Sequence, residues 1–451
     1  MSKIKRTIIF VFLLVFVSTT MILSVACEDT KPLPEKKAII ILPGIMASAI
    51  YNEETDEAVW DPLPKAENAQ LAQFFSGRLS EFLSEILAGY TLDEIAKILG
   101  EHLDSSDGYE GSMLKDMQLN PDGTSANPSV TAVPFDHDSR LIYGPFNAYM
   151  HMYEYLEDLY GDSHEVSVFN FDWRLSNLHN ADMLEKYINE NKYTDVVLIG
   201  HSMGGVLTST YLAKSEANRK KVSKFISIGA PFLGALTALN IYEDLYSFIS
   251  GLMPLLEEFG LANKEEGLLK MYEDLGIPMF KYMTSIYQLM PSAELLNTPH
   301  YQGENKAFLV ENGKDLICSD TVEFYKSRPW AKDVDGDYFA GIKSLEPFWN
   351  GQYVMQDGEK VHSSLLVDTT YIAGRGFETA AVAVVQDGKL ERNVMTFEGD
   401  GTVLLHSATL GLPLDDERII IVDSSSHVPL ACEYNEEIFN LIKGEIDEIL
   451  K

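Results

Sequence analysis

The stretch Val196–Ala213, VVLIGHSMGGVLTSTYLA, restricts what this chain can fold into more than any other. An apolar, β-branched run is followed at once by Gly200-His201-Ser202-Met203-Gly204, and then by a helix-forming run from Val206. A strand that turns so abruptly into a helix forces a tight bend at Ser202. Glycines around the bend remove side chains that would collide with neighbouring backbone. The G-x-S-x-G pattern alone is weak, since at average Gly and Ser usage it arises by chance in roughly one chain of this length in seven. Its setting between strand and helix carries the weight. Such a bend lifts a serine hydroxyl to the carboxyl edge of a sheet and leaves the Met203 N–H free at a helix start. A glycine-rich turn in an unrelated α/β domain is the competing reading.

A βα rhythm surrounds that stretch. Ala38–Leu42 (AIIIL) is wholly apolar, ends at Pro43-Gly44, and reads as a strand buried on both faces. Ala148–Leu159 then reads as helix, Val166–Phe171 as strand, Met183–Asn191 as helix, Val206–Lys214 as helix and Phe225–Ile228 as strand. Strand signals return at Tyr371–Ala373, Ala380–Val385, Asn393–Phe397 and Arg418–Val422, and Tyr434–Leu450 closes the chain as a helix. Asp387-Gly388 has the composition of a hairpin turn. The pattern predicts an α/β fold, a mostly parallel central sheet flanked by helices. Two blocks interrupt it, about 51–145 and about 235–360, and are expected to form lid and cap within one domain spanning 38–451. The first carries helical signals in Leu79–Leu99, with Thr91 and Glu94 as a capping box.

A serine hydroxyl is a poor nucleophile without a base. In this arrangement the chain order is serine, carboxylate, histidine. His300, His362, His406 and His427 all follow Ser202. His427 comes directly after the strand-like RIIIV, where a strand-end loop can hold an imidazole over the serine. His406 reads as nearer the surface. The carboxylate that fixes the imidazole tautomer is assigned to Asp400, between two glycines after the strand-like NVMTF. Asp423 is the rival, but it shares a loop with His427 and would approach awkwardly. An oxyanion needs two N–H donors. Met203 supplies one by its position, and Ile45, in the turn after the first strand, the other. Each of these segments could also be a plain turn.

LPGIMAS (42–48), FDWR (171–174), GHSMGG (200–205), SIGAPFLG (227–234), GDGTV (399–403) and SSSHVPL (424–430) occur in this order. With them the chain resembles the lecithin–cholesterol acyltransferase family, which includes lysosomal phospholipase A2 and plant phospholipid:diacylglycerol acyltransferases. GHSMGG is common to many hydrolases; FDWR and SIGAPFLG are more specific. The resemblance implies an α/β-hydrolase fold with cap and lid, and an acyl-enzyme mechanism on lipid esters. It implies Ser202 as nucleophile, Asp400 as orienter, His427 as base, and Ile45 and Met203 at the oxyanion positions. Asp172 and Arg174 fall in FDWR, where a buried ion pair near the site is expected. No cysteine lies between Cys27 and Cys318, so the short disulfide-closed lid of the animal members has no counterpart. The chain fits a bacterial secreted relative. Met253, Leu255, Leu256, Ile286, Leu289 and Met290, in the second insertion, are candidates to line an acyl channel or to be cap core. An esterase for a non-lipid acyl ester, such as acylated glycan or wall polymer, would share every one of these residues. A non-catalytic binding protein would be expected to have lost one of the three.

The N-terminus bears Lys3, Lys5 and Arg6, an apolar run to Ala26, and small residues before Cys27. Residues 1–26 have the layout of a secretory signal, and 27–37 read as a tether. Cleavage after Ala26, lipidation of Cys27 and an uncleaved anchor all place the body of the protein outside the cytoplasm, secreted or held at the cell surface. The net charge of −33 excludes nucleic acid as a partner and opposes an anionic bilayer. The expected partner is a lipid or acyl-ester substrate, with a membrane surface as its source; the oligomeric state is open. Cys318 and Cys432 could pair or remain thiols. No metal or organic cofactor is expected. DVDGD (333–337) departs from a calcium loop at Tyr338 and Ser344, where Gly and Glu are required.

Overall fold

A computed structural model describes residues 36–55, 57–60, 117–132, 145–243, 281–296, 308–316, 318–333, 335–431 and 435–450. In chain order its strands are β1 (Lys37–Leu42), β2 (Ile50–Asn52), β3 (Glu57–Trp60), β4 (Val130–Ala132), β5 (Glu165–Val168), β6 (Asp195–His201), β7 (Val222–Ile228), β8 (Leu309–Glu311), β9 (Lys314–Asp315), β10 (Tyr353–Gln356), β11 (Glu359–His362), β12 (Thr369–Arg375), β13 (Thr379–Gln386), β14 (Lys389–Thr396) and β15 (Ile419–Asp423). The helices are α1 (Pro145–Tyr160), α2 (Asn177–Glu190), α3 (Met203–Lys214), α4 (Glu216–Arg219), α5 (Thr284–Gln288), α6 (Cys318–Ser327), α7 (Ala340–Asn350), α8 (Leu405–Ala408) and α9 (Glu436–Ile449). Lys37–Lys451 clusters as one unit by its contacts.

Six strands form the central sheet in the order β15-β12-β7-β6-β1-β5, with every neighbouring pair parallel. The run AIIIL explains why β1 can sit inside it. Alternation sends Ile39 and Ile41 to one face and Ala38, Ile40 and Leu42 to the other, and each set joins a different hydrophobic cluster. On the first face α1 packs Tyr149, Met152, Tyr153 and Leu156, and α9 packs Ile438, Phe439, Ile442 and Ile446. The α9 spacing gives one apolar stripe, and Asn435 caps its start by accepting from Ile438 N–H. On the other face lie Ala181, Leu184 and Ile188 of α2, and Val206, Leu207, Tyr211 and Leu212 of α3. Pairing of Leu42 with Gly200, and of Gly200 with Ser227, brings the carboxyl ends of β1, β6 and β7 level.

The Asp387-Gly388 hairpin forms as expected, with φ of 50° and 78° at its two central residues. Its strands do not extend the central sheet. They join a four-stranded sheet of order β14-β13-β8-β9, because β8, from the second insertion, pairs with β13. The hairpin leaves from the end of β12 and returns beside it: Gly376 N–H donates to Phe397 O, and Phe377 N–H to Gly399 O. Asp400 is therefore delivered to the carboxyl edge of β12 by an excursion. Of the first insertion, its margins are described, as the three-stranded antiparallel sheet β3-β2-β4. The helical signals of Leu79–Leu99 fall outside the described residues, as do the signal and tether before Lys36, and Cys432. No helix among the described residues is long and apolar enough to cross a membrane.

Candidate active site

β6 ends at His201 and α3 begins at Met203, so Ser202 is the whole of the bend. It takes φ 52° and ψ −124°, a sparsely populated region for a residue with a side chain. The surroundings hold it there: Ser202 N–H donates to Ile228 O at 2.9 Å, and Gly205 N–H donates to Ser202 O at 3.0 Å. The helix start presses on β1. A Cβ on Gly204 would stand 2.2 Å from the Leu42 carbonyl oxygen, which is why the motif tolerates no side chain at that point.

Asp400 and His427 meet Ser202 at the carboxyl edge. The Ser202 Oγ lies 2.9 Å from His427 Nε2, and His427 Nδ1 lies 2.7 Å from Asp400 Oδ2. The other carboxylate oxygen accepts from Thr402 N–H and Val403 N–H, at 3.0 and 2.7 Å. His427 N–H donates to Asp400 O, tying the two loops together by backbone as well. All three residues are buried. With Nδ1–H donating to the carboxylate, Nε2 is left as an acceptor for the serine hydroxyl proton. The arrangement can therefore activate Ser202 as a nucleophile.

The rivals are elsewhere. Asp423 has a 70% exposed side chain and accepts from Arg375 Nε at 2.8 Å. His362 is buried against Phe232 and Tyr353, with Nδ1 2.7 Å from Ser364 Oγ. Burial pushes its imidazole down to about 3. His406 lies in α8 and is buried, not near the surface as its sequence suggested, because α8 packs against β12. His300 lies outside the described residues.

Met203 is the first residue of α3, so its N–H has no intrahelical partner. Ile45 follows β1 in the turn closed by Ala47 N–H donating to Gly44 O. Neither Met203 N–H nor Ile45 N–H has a hydrogen-bond partner among the described residues. Of the proposed channel residues, Ile286, Leu289 and Met290 are buried in the cluster that also holds Met203, Trp173 and Phe232. Met253, Leu255 and Leu256 lie outside the described residues. The DVDGD turn is closed on itself, with Asp333 Oδ1 accepting from Asp335 N–H and Asp337 N–H.

FDWR forms a corner beside the site. Arg174 Nε and Nη2 meet the two oxygens of Asp172 at 2.9 and 2.6 Å, and the Arg174 side chain is fully buried. Arg174 Nη2 also donates to Val130 O in β4. Trp173 Nε1–H donates to Ser48 O, Phe171 N–H to Ser48 Oγ, and Ser285 Oγ–H to Trp173 O. Four residues thus join the segment after β1 to the margin of the first insertion and to α5 of the second.

Sequence reasoning passed over two side chains that touch this set. His201 occupies a variable position of G-x-S-x-G, and Tyr149 falls in the helix expected over Ala148–Leu159. The Tyr149 hydroxyl lies 2.8 Å from Gly44 N and 2.6 Å from His201 Nδ1, and His201 Nε2 lies 3.0 Å from His427 O. A polar atom on a helix stripe that must be buried was the one available signal, since such a hydroxyl needs a partner.

The sequence profile of the lecithin:cholesterol acyltransferase family matches residues 115–360, more than half of the chain. The chain belongs to that family. Ser202, the FDWR corner and the whole of the second insertion fall inside the matched stretch; Ile45, Asp400 and His427 fall outside it. The chain is accordingly an ester hydrolase or acyltransferase of the α/β-hydrolase fold. No curated protein sequence matches it. Among solved structures it is similar to a carboxylesterase from the thaumarchaeon Nitrososphaera gargenis, at 12% identity over 68% of this chain and 88% of that one, with a TM-score of 0.29. It is also similar to an epoxide hydrolase from Bacillus megaterium, at 11% identity over 66% and 89%, TM-score 0.28. An esterase from Exiguobacterium antarcticum matches at 20% identity over 38% and 72%, TM-score 0.21.

Proposed function

We propose that this protein cleaves or transfers acyl groups of lipid esters outside the cytoplasm, through an acyl intermediate on Ser202. The observation that carries the proposal is the continuous Ser202–His427–Asp400 hydrogen-bonded set at the carboxyl edge of the sheet. His427 takes the Ser202 proton, and Ser202 Oγ attacks the ester carbonyl. The oxyanion is received by Met203 N–H and Ile45 N–H, worth roughly 10²–10³-fold each in rate. His427 returns the proton to the departing alcohol. Water or a second alcohol, deprotonated by the same imidazole, then releases the acyl group. Family membership supports a lipid ester as donor. The basic and apolar N-terminus supports the location.

The test is fatty-acid release from mixed phospholipid vesicles by the mature protein, beside a panel of soluble p-nitrophenyl esters. Ser202→Ala is expected to lose on the order of 10⁶-fold in turnover while keeping its melting temperature. Turnover persisting in the folded variant would sink the assignment of Ser202. Hydrolysis of short soluble esters alone would overturn the lipid donor in favour of a non-lipid acyl ester.

A further inference from the structure

Gly44, Tyr149, His201 and His427 form a chain of hydrogen bonds whose direction is determined. A carbonyl only accepts, so His201 Nε2 carries the proton given to His427 O at 3.0 Å. A backbone N–H only donates, so the Tyr149 oxygen accepts from Gly44 at 2.8 Å. The Tyr149 O–H then donates to the remaining lone pair of a neutral His201, at Nδ1, 2.6 Å away. Burial, reinforced by the neighbouring His427, pushes the His201 imidazole down to about 3, so the ring stays neutral near pH 7.

We infer that His201 and Tyr149 are positioning residues that brace the oxyanion turn at Gly44-Ile45 and the loop of His427 against each other, so that donor and base move as one unit. The inference rests on the proposed acyl-transfer role of Ser202, Asp400 and His427. Asp400 holds the ring and the N–H of His427; His201 holds its carbonyl, on the other side of the same residue. Neutrality matters because the two imidazole centroids are 4.9 Å apart. A cationic His201 would oppose the charge that His427 acquires in the transition state. The joint has little slack, since a Cβ on Gly44 would lie 3.1 Å from Ser202 Cβ and 3.3 Å from His201 Nδ1.

Three substitutions separate the links. Tyr149→Phe keeps the ring and removes the bonds to Gly44 and His201. His201→Asn can still accept from Tyr149 but cannot donate to the His427 carbonyl. His201→Gln reaches that carbonyl with an amide N–H. The readouts are kcat and KM on a soluble p-nitrophenyl ester, the rate at which a fluorophosphonate labels Ser202, and the melting temperature. Tyr149→Phe and His201→Asn are expected to lower kcat and labelling roughly 10- to 100-fold, with KM nearly unchanged, as for a misplaced reacting group. His201→Gln should recover most of the loss seen in His201→Asn. The double variant Tyr149→Phe/His201→Asn should be little worse than either single one, because a chain broken once is already broken. Unchanged labelling in folded variants, or additive losses that follow the melting temperature, would overturn the brace while leaving the role of Ser202 intact. A wild-type protein that the fluorophosphonate does not label would overturn both. If Tyr149→Phe does not fold, the contrast of His201→Asn with His201→Gln decides alone.

Discussion

Two carboxylates follow strands near His427, and solvation separates them. Asp400 is buried with both oxygens engaged, one on His427 and the other on two backbone N–H groups. Asp423 is exposed and held by Arg375. Orienting an imidazole requires a carboxylate that cannot turn away to water. Asp400→Asn should therefore lower kcat by on the order of 10⁴-fold, by leaving the wrong tautomer at His427. Asp423→Asn, a surface change away from the reacting atoms, should leave kcat and stability near wild type. Steady-state kinetics of the two variants check this, and the opposite ranking would transfer the role to Asp423.

Between elements, the FDWR corner carries the largest electrostatic stake. Arg174 is fully buried, and its compensation comes from Asp172 and from Val130 O. Removing the carboxylate leaves a guanidinium in low dielectric, which costs about 3–5 kcal/mol. Asp172→Asn is thus expected to lower the urea midpoint strongly without touching the Ser202–His427 contact. Asp172→Leu combined with Arg174→Met should restore much of the loss, because an apolar pair of similar volume has no charge to desolvate. A double variant as unstable as the single one would show that the corner depends on the bond to β4 and not on the pair.

For the molecule as a whole, acid should be the sensitive direction. His201 and His362 are buried neutral, both pushed by burial down to about 3, and His164 is lowered by burial in the same sense. An unfolded histidine takes up a proton near pH 6.5, whereas these do not while the protein is folded. The contribution of His201 and His362 is therefore complete above about pH 6.5 and is lost as pH falls toward 3, by up to about 1.4 kcal/mol per pH unit for each, and His164 adds to it in the same direction. The depressed carboxylates, Asp416 at about 2 among them, add their loss only at lower pH. Melting temperatures should be level from neutrality until the raised tyrosines and lysines begin to matter, near about pH 10, and fall below about pH 6.5. His362→Asn, whose amide can take either role toward Ser364, should flatten that slope; an unaltered slope would remove His362 from the account.

The strands of the central sheet and the motifs at its edge were legible because they are local. AIIIL and VVLI are buried on both faces and read as apolar runs. G-x-S-x-G works through glycines whose necessity is steric and shows in the sequence itself. Ser202, Asp400 and His427 could be named from chain order and strand ends. Their meeting depended on register, which sets β1, β6 and β7 level, and on a hairpin that returns Asp400 to the end of β12. Strand signals flanking Asp387-Gly388 marked β13 and β14, but a local signal carries no address, and only pairing with β8 assigned them to a second sheet. Burial of His406 and the placement of Ile286 and Leu289 within a core were likewise decided by packing. Tyr149 and His201 are 52 residues apart. Neither breaks the pattern of the element it sits on, so only the tertiary structure could bring a helix hydroxyl, a motif imidazole and the backbone of His427 into one line of hydrogen bonds.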